Sequence, residues 1–136
     1  MTQEDKELLL KDLCARLPYG VKVEIVHWRN RDKGMIDSKI FRFPLNINKA
    51  SVLLKPTSDI RPYLFPLSSM TEEQKEEYHY IVNYISPDDT ENWAEGEFIY
   101  ANQMEQLLHF YHINHLDYRG LIPMDLAIDA TGKNIY

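Results

Sequence analysis

A single cysteine, Cys14, excludes an internal disulfide, so the fold cannot depend on oxidation. No apolar run approaches the roughly 20 residues that a bilayer-spanning helix needs. The start, MTQEDKELLLKDL, lacks both the basic residues and the apolar stretch of a secretory signal, which makes the cytoplasm the expected compartment. No internal repeat, low-complexity tract or linker divides the chain. Basic residues are scarce in the second half. Residues 67–136 hold 3 Lys plus Arg against 13 Asp plus Glu, a charge of −10, whereas residues 1–66 hold 12 against 8, a charge of +4. The two halves attract, either by meeting within one body or by marking separate partner surfaces.

What is present is the composition of a globular protein: 44% hydrophobic and 26% charged residues, with nine Tyr, five Phe and two Trp. A chain of 136 residues fits one domain, 1–136, with a packed core.

Local patterning gives three helices and several short strands. Thr2 with Asp5 caps a helix over about residues 3–17, whose apolar side is read as Leu9, Leu10, Leu13, Cys14 and Leu17; Cys14 is then a small core residue. Pro18 and Gly20 end it. Val21–Trp28 alternates as a half-buried strand, with Val21, Val23 and Ile25 on one face and Lys22, Glu24 and Val26 on the other. RNRDKG, residues 29–34, reads as a loop. Further extended runs fall at Ser38–Phe43, Ser51–Lys55 and Ile60–Leu67, where Pro44, Pro56, Pro62 and Pro66 suggest edges and bends. Thr71 followed by Gln74 caps a helix over 72–85 that buries Tyr78, Ile81, Val82 and Ile85. A third helix covers about 100–113 with Met104, Leu107, Leu108 and Tyr111 inward, and Asp125–Asp129 forms a last short strand. The expected class is α+β: an irregular antiparallel sheet of about four or five strands with three helices.

HFYHINHLDYRG, residues 109–120, is the densest chemical signal. Steps of three residues turn a helical side chain by about −60° each, so His109, His112 and His115 spiral rather than share one face. Zinc needs three or four convergent ligands, so the spacing favours histidines set around an aromatic cluster. A metal site of His112, His115 and Asp117 requires the helix to unwind near Asn114 and turn the last two inward. In DYRG, Asp117 suits backbone amides in a turn, Gly120 suits positive φ, and Arg119 suits a carboxylate or a tyrosine ring. The loop RNRDKG, with Arg29, Arg31 and Lys33, together with Lys22, Lys39, Arg42, Lys49 and Lys55 forms the only basic footprint for nucleic acid, and the pI of 5.3 argues against that partner. ATGKN, residues 130–134, lacks the remaining residues of a phosphate loop. No reactive constellation stands out, so the reading leans away from an enzyme, and no metal or other cofactor is expected.

The segments RPYLFPLSSMTEEQ, residues 61–74, and NHLDYRGLIPMDLAIDATGKNIY, residues 114–136, resemble short uncharacterised proteins of anaerobic gut bacteria, several of them phage- or mobile-element-associated. The likeness covers mainly the second half, above all His115, Asp117, Tyr118, Arg119, Gly120 and Leu121. It implies a small cytoplasmic protein and brings no activity, substrate or catalytic residue. Pro123 and Met124 stand where charged residues are expected in such relatives, which argues against a shared ligand at that turn. The resulting expectation is a noncatalytic protein-interaction module. Its candidate contacts are His115, Asp117, Tyr118, Arg119, Arg29 and Arg31; a homodimer stays open and no membrane is involved. The alternatives are a metal-dependent hydrolase built on residues 112–117 and a nucleic-acid accessory factor built on loop 29–33.

Overall fold

A computed structural model of the chain describes residues 2–46, 58–82 and 93–136. They form three α-helices and a mixed five-stranded sheet, an α+β arrangement. Helix α1 spans Gln3–Arg16 and opens on a reciprocal cap: Asp5 N–H donates to Thr2 Oγ1, and Thr2 N–H donates to the Asp5 carboxylate. A single 3₁₀ turn, Leu17–Tyr19, follows and stops at Gly20, whose φ of 69° suits a residue without Cβ.

The buried stripe of α1 is Leu9, Asp12, Leu13 and Arg16, the i, i+3, i+4, i+7 pattern of a core-facing helix. Cys14 and Leu10 are exposed, contrary to the reading of an all-apolar side. The reason is physical: Asp12 and Arg16 neutralise one another across one turn, so the helix can bury them and turn Cys14 out.

Strands β1 (Lys22–Asn30) and β2 (Met35–Pro44) make an antiparallel hairpin, so the basic loop shrinks to residues 31–34. Strand β3 (Ser58–Pro66) lies antiparallel on the other side of β1. Two short strands, β4 (Leu116–Asp117) and β5 (Ile128–Asp129), run parallel to β3, giving a mixed rather than purely antiparallel sheet. β3 is therefore central despite its prolines. Pro62 pairs with Val23 of β1, and the parallel partners begin only at Tyr63, so its missing N–H coincides with the bare part of that side. The expected strand Ser51–Lys55 lies outside the described residues.

Val21, just before β1, and Val23 and Ile25 of β1 pack with Ile60 and Leu64 of β3 against Leu9 and Leu13 of α1, forming the main core. On the opposite face Tyr63 packs with Ala130 and Ile135. A third apolar cluster, Ile81, Phe110 and Leu116, joins the remaining two helices to the sheet.

Helix α2 (Glu72–Val82) opens on Thr71 and Gln74, each main-chain N–H donating to the other's side chain. Helix α3 (Trp93–Ile113) starts well before residue 100. Side chains tie the two helices at both ends. Gln74 donates to Asn114 at 3.2 Å, and Gln103 donates to the Ile81 and Val82 carbonyls at 2.7 and 2.9 Å, supplying partners to the last turn of α2. The start of α2 thus meets the end of α3, and the pair runs antiparallel. The buried faces differ from the expected ones: Val82, Met104 and Leu108 are exposed, while Phe110 and His112 are buried and Tyr78 and Tyr111 are half-buried. The cause is that α3 packs on α2 and β4 at once, which turns Phe110 fully inward beside Leu107 and Tyr111. Residue 85 lies outside the described residues. No described helix is long and apolar enough to cross a membrane.

Candidate functional site

The helix end at residues 113–117 does unwind as a metal site would require. His115 takes φ 54°, and the chain passes directly into β4, whose register places Leu116 beside Phe65. His115 and Asp117 turn inward, but to different destinations. Asp117 is buried and accepts the N–H groups of Leu121 and Ile122 at 2.8 and 2.9 Å, closing the turn that follows Gly120 (φ 73°). His115 stacks on Tyr136 with ring centroids 3.7 Å apart and planes 10° from parallel. His112 Nε2 shares a 2.8 Å hydrogen bond with the Tyr118 hydroxyl, its direction set by the imidazole tautomer. His109 Nδ1 lies 3.0 Å from the Tyr19 hydroxyl. Three histidines thus meet three different tyrosines, and among the described residues no group of three His, Cys, Asp or Glu side chains is placed to hold a metal ion.

Tyr118 and Arg119 belong to a network whose centre is Asp12. Arg16 donates from Nε to Asp12 Oδ2 at 2.7 Å and from Nη2 to the Leu116 carbonyl at 2.6 Å. Arg119 donates to the other carboxylate oxygen at 3.1 Å. Both guanidiniums lie near the Tyr118 ring, at 5.3 and 4.9 Å from its centroid, and Tyr111 stacks on that ring at 4.8 Å. The spacing of Asp12 and Arg16, four residues apart, was the available signal for their pair, hidden by the expectation that charges face water; nothing near them in sequence points to Arg119 or Leu116. Arg16 Nη1 and His115 Nδ1 are buried without a hydrogen-bond partner among the described residues, a local cost.

Burial and the surrounding positive charge favour the neutral form of two of these imidazoles, His112 and His115. Burial pushes His115 down to about 4, helped by the positive charges of Arg16 and Lys22. His112 is lowered for the same reason, burial first and Arg16 second. Tyr136 is pushed up to about 12 by burial, against the opposing hydrogen bond from Lys22. Its hydroxyl accepts from Lys22 N–H at 2.9 Å and donates to the Tyr63 carbonyl at 2.7 Å, bridging β1 and β3 beyond their last paired residues.

The basic hairpin offers less free charge than its sequence suggests. Arg29 pairs with Asp37 at 3.2 Å, and Arg31 pairs with Asp59 at 2.9 Å. Asp59 also accepts from Trp28 Nε1 at 2.9 Å. These arginines reinforce the hairpin and its junction with β3.

An open feature lies elsewhere. A groove of about 540 Å³ runs between α2, α3 and the turn after α1. Ile81 and Phe110 line it from the apolar cluster beneath, Leu108 and Tyr80 stand exposed beside it, and Glu77 and Glu105 enter from opposite helices. Tyr19, His109 and His112 close one side. The sequence signal for this groove was the acidity of α2 together with the apolar positions of α3, but its opening depends on which face of α3 turns outward. Comparison with protein-family models, with curated proteins and with solved structures finds no match.

Proposed function

We propose that this chain is a noncatalytic protein-interaction module whose contact surface is the α2/α3 groove. The carrying observation is the contrast in commitment of side chains. His109, His112, His115, Asp117, Tyr118 and all three candidate arginines already have internal partners, whereas the groove over Ile81 and Phe110 is bordered by Leu108, which is 37% exposed. An apolar surface of that kind rimmed by carboxylates is suited to a protein contact. The separate ends of His112, His115 and Asp117 weigh against a hydrolase, and the paired Arg29 and Arg31 weigh against phosphate contacts on the hairpin. The exposed thiol of Cys14 is compatible with a reducing cytoplasm.

The test is affinity capture from extracts of the source organism with three baits. The wild type and an Arg29→Glu/Arg31→Glu variant are expected to retain the same protein, and Leu108→Glu to lose it while keeping the wild-type circular dichroism. Identical retention by wild type and Leu108→Glu would remove the groove from consideration.

A further inference from the structure

Building on the reading of the groove as a protein contact, we propose that its occupant is a basic amphipathic helix, a segment whose apolar stripe lies on Ile81 and Phe110 while Lys or Arg residues flank it. The placement of polar groups decides the class of ligand. A small polar ligand needs hydrogen-bonding groups converging at the base of its pocket. Here the base is apolar, and the two imidazoles at the side are engaged, His109 with Tyr19 and His112 with Tyr118. The charged groups sit instead on the two rims, Glu77 on α2 and Glu105 on α3, both exposed. That is the layout of a groove between antiparallel helices that receives a third helix through anchors at i, i+3 or i+4 and i+7.

Charge gives the sign. Among the described residues the ion pair on α2 and α3 is Lys75 with Glu72, and neither Glu77 nor Glu105 has a cationic partner. Glu73 and Glu76 extend the same acidic surface along α2. The whole segment 67–136 carries 13 acidic side chains against 3 basic ones, so an approaching cationic helix gains attraction at long range, whereas nucleic acid and anionic lipid are repelled.

The experiment uses the full chain, isotope-labelled for NMR, with three synthetic probes: a Lys/Leu amphipathic helix, a Glu/Leu helix of the same pattern, and a Lys/Ser peptide of equal charge. The Lys/Leu probe is expected to bind, to move the amides of Ile81, Leu108 and Phe110, and to lose about tenfold in affinity in Glu77→Lys/Glu105→Lys. The Lys/Ser probe should bind at least that much more weakly. Equal binding of the Glu/Leu probe, or shifts confined to residues outside the groove, would overturn the proposal. Failure here is separable from failure of the module itself: a captured partner that is lost by Leu108→Glu but kept by Glu77→Lys/Glu105→Lys refutes the basic helix and leaves the groove as the contact.

Discussion

Two regions of this molecule use the same kinds of residue to opposite ends. Around Asp12, a carboxylate, two guanidiniums, a tyrosine and a histidine have closed on one another until Asp12 and Arg16 are wholly buried. Around Ile81 and Phe110, glutamates, tyrosines and two histidines stand about an apolar floor and leave it open. The difference lies in partners rather than in composition. Where carboxylate and guanidiniums pair with one another, a cluster of reactive-looking side chains becomes architecture; the apolar floor left open is the surface that the proposed contact would cover.

The largest expected effect breaks the first region. Arg16→Ala leaves the Asp12 carboxylate buried with Arg119 alone, and should cost about 3–5 kcal/mol, a large part of the stability of an ordinary domain. Urea unfolding measures it. Removing the buried pair, Asp12→Leu with Arg16→Met, should cost less than Arg16→Ala, because no fully buried charge is stranded and the Arg119 guanidinium that loses its acceptor still reaches solvent; an equal or greater loss would show that the network contributes net stability. Next comes Asp117→Ala, which removes the acceptor for two main-chain N–H groups and should cost about 2–3 kcal/mol in the same assay.

Acid titration sharpens the comparison further. His115 ionises near 4 when folded, against 6.5 for the free side chain, so between those values the unfolded chain holds more protons. Its contribution to stability is complete above 6.5 and is lost as the pH falls towards 4. Allowing for partial contact of the ring with solvent, the loss is about 1.5 kcal/mol. His115→Asn, which tolerates the positive φ, should flatten that part of the curve; the same slope in both proteins would assign it to other groups.

Tyr136→Phe keeps the stack on His115 and deletes the hydroxyl, for about 1 kcal/mol. The sign of its alkaline effect is opposite to that of the histidine: the folded protein holds the phenol proton up to about 12, so this contribution is complete below 10 and is lost as the pH rises from 10 to 12, a decline the phenylalanine variant should lack. The smallest effect on stability belongs to the second region. Leu108→Glu should change the thermal midpoint hardly at all, within about 0.5 kcal/mol, since its side chain already faces water. A large destabilisation there would mean that the groove is a piece of core.

Local chemistry was legible from the residues: both capping boxes, the α1 stop at Gly20, the loop after the first strand, and the roles of Asp117 and Gly120 in the turn. These depend on neighbours a few positions away. The network around Asp12 was not, because Arg119 lies 107 positions from its carboxylate and the Leu116 carbonyl lies 100 from Arg16. The outward side of α1 and α3 was misjudged for a related reason. Hydrophobic periodicity alone assigns charge to solvent, and it has no means of knowing that Asp12 and Arg16 neutralise each other, or that α3 must turn Phe110 and His112 inward to meet α2 and β4.

The hydroxyl of Tyr136 sits between two strands laid down long before it, bonded to a main-chain amide 114 positions earlier. During synthesis that seam stays unfastened until residue 136 has cleared the ribosome, however early the hairpin forms. Closure of that seam therefore waits on residue 136, and a chain lacking it would carry an unsealed gap where the first and third strands run past their last pair.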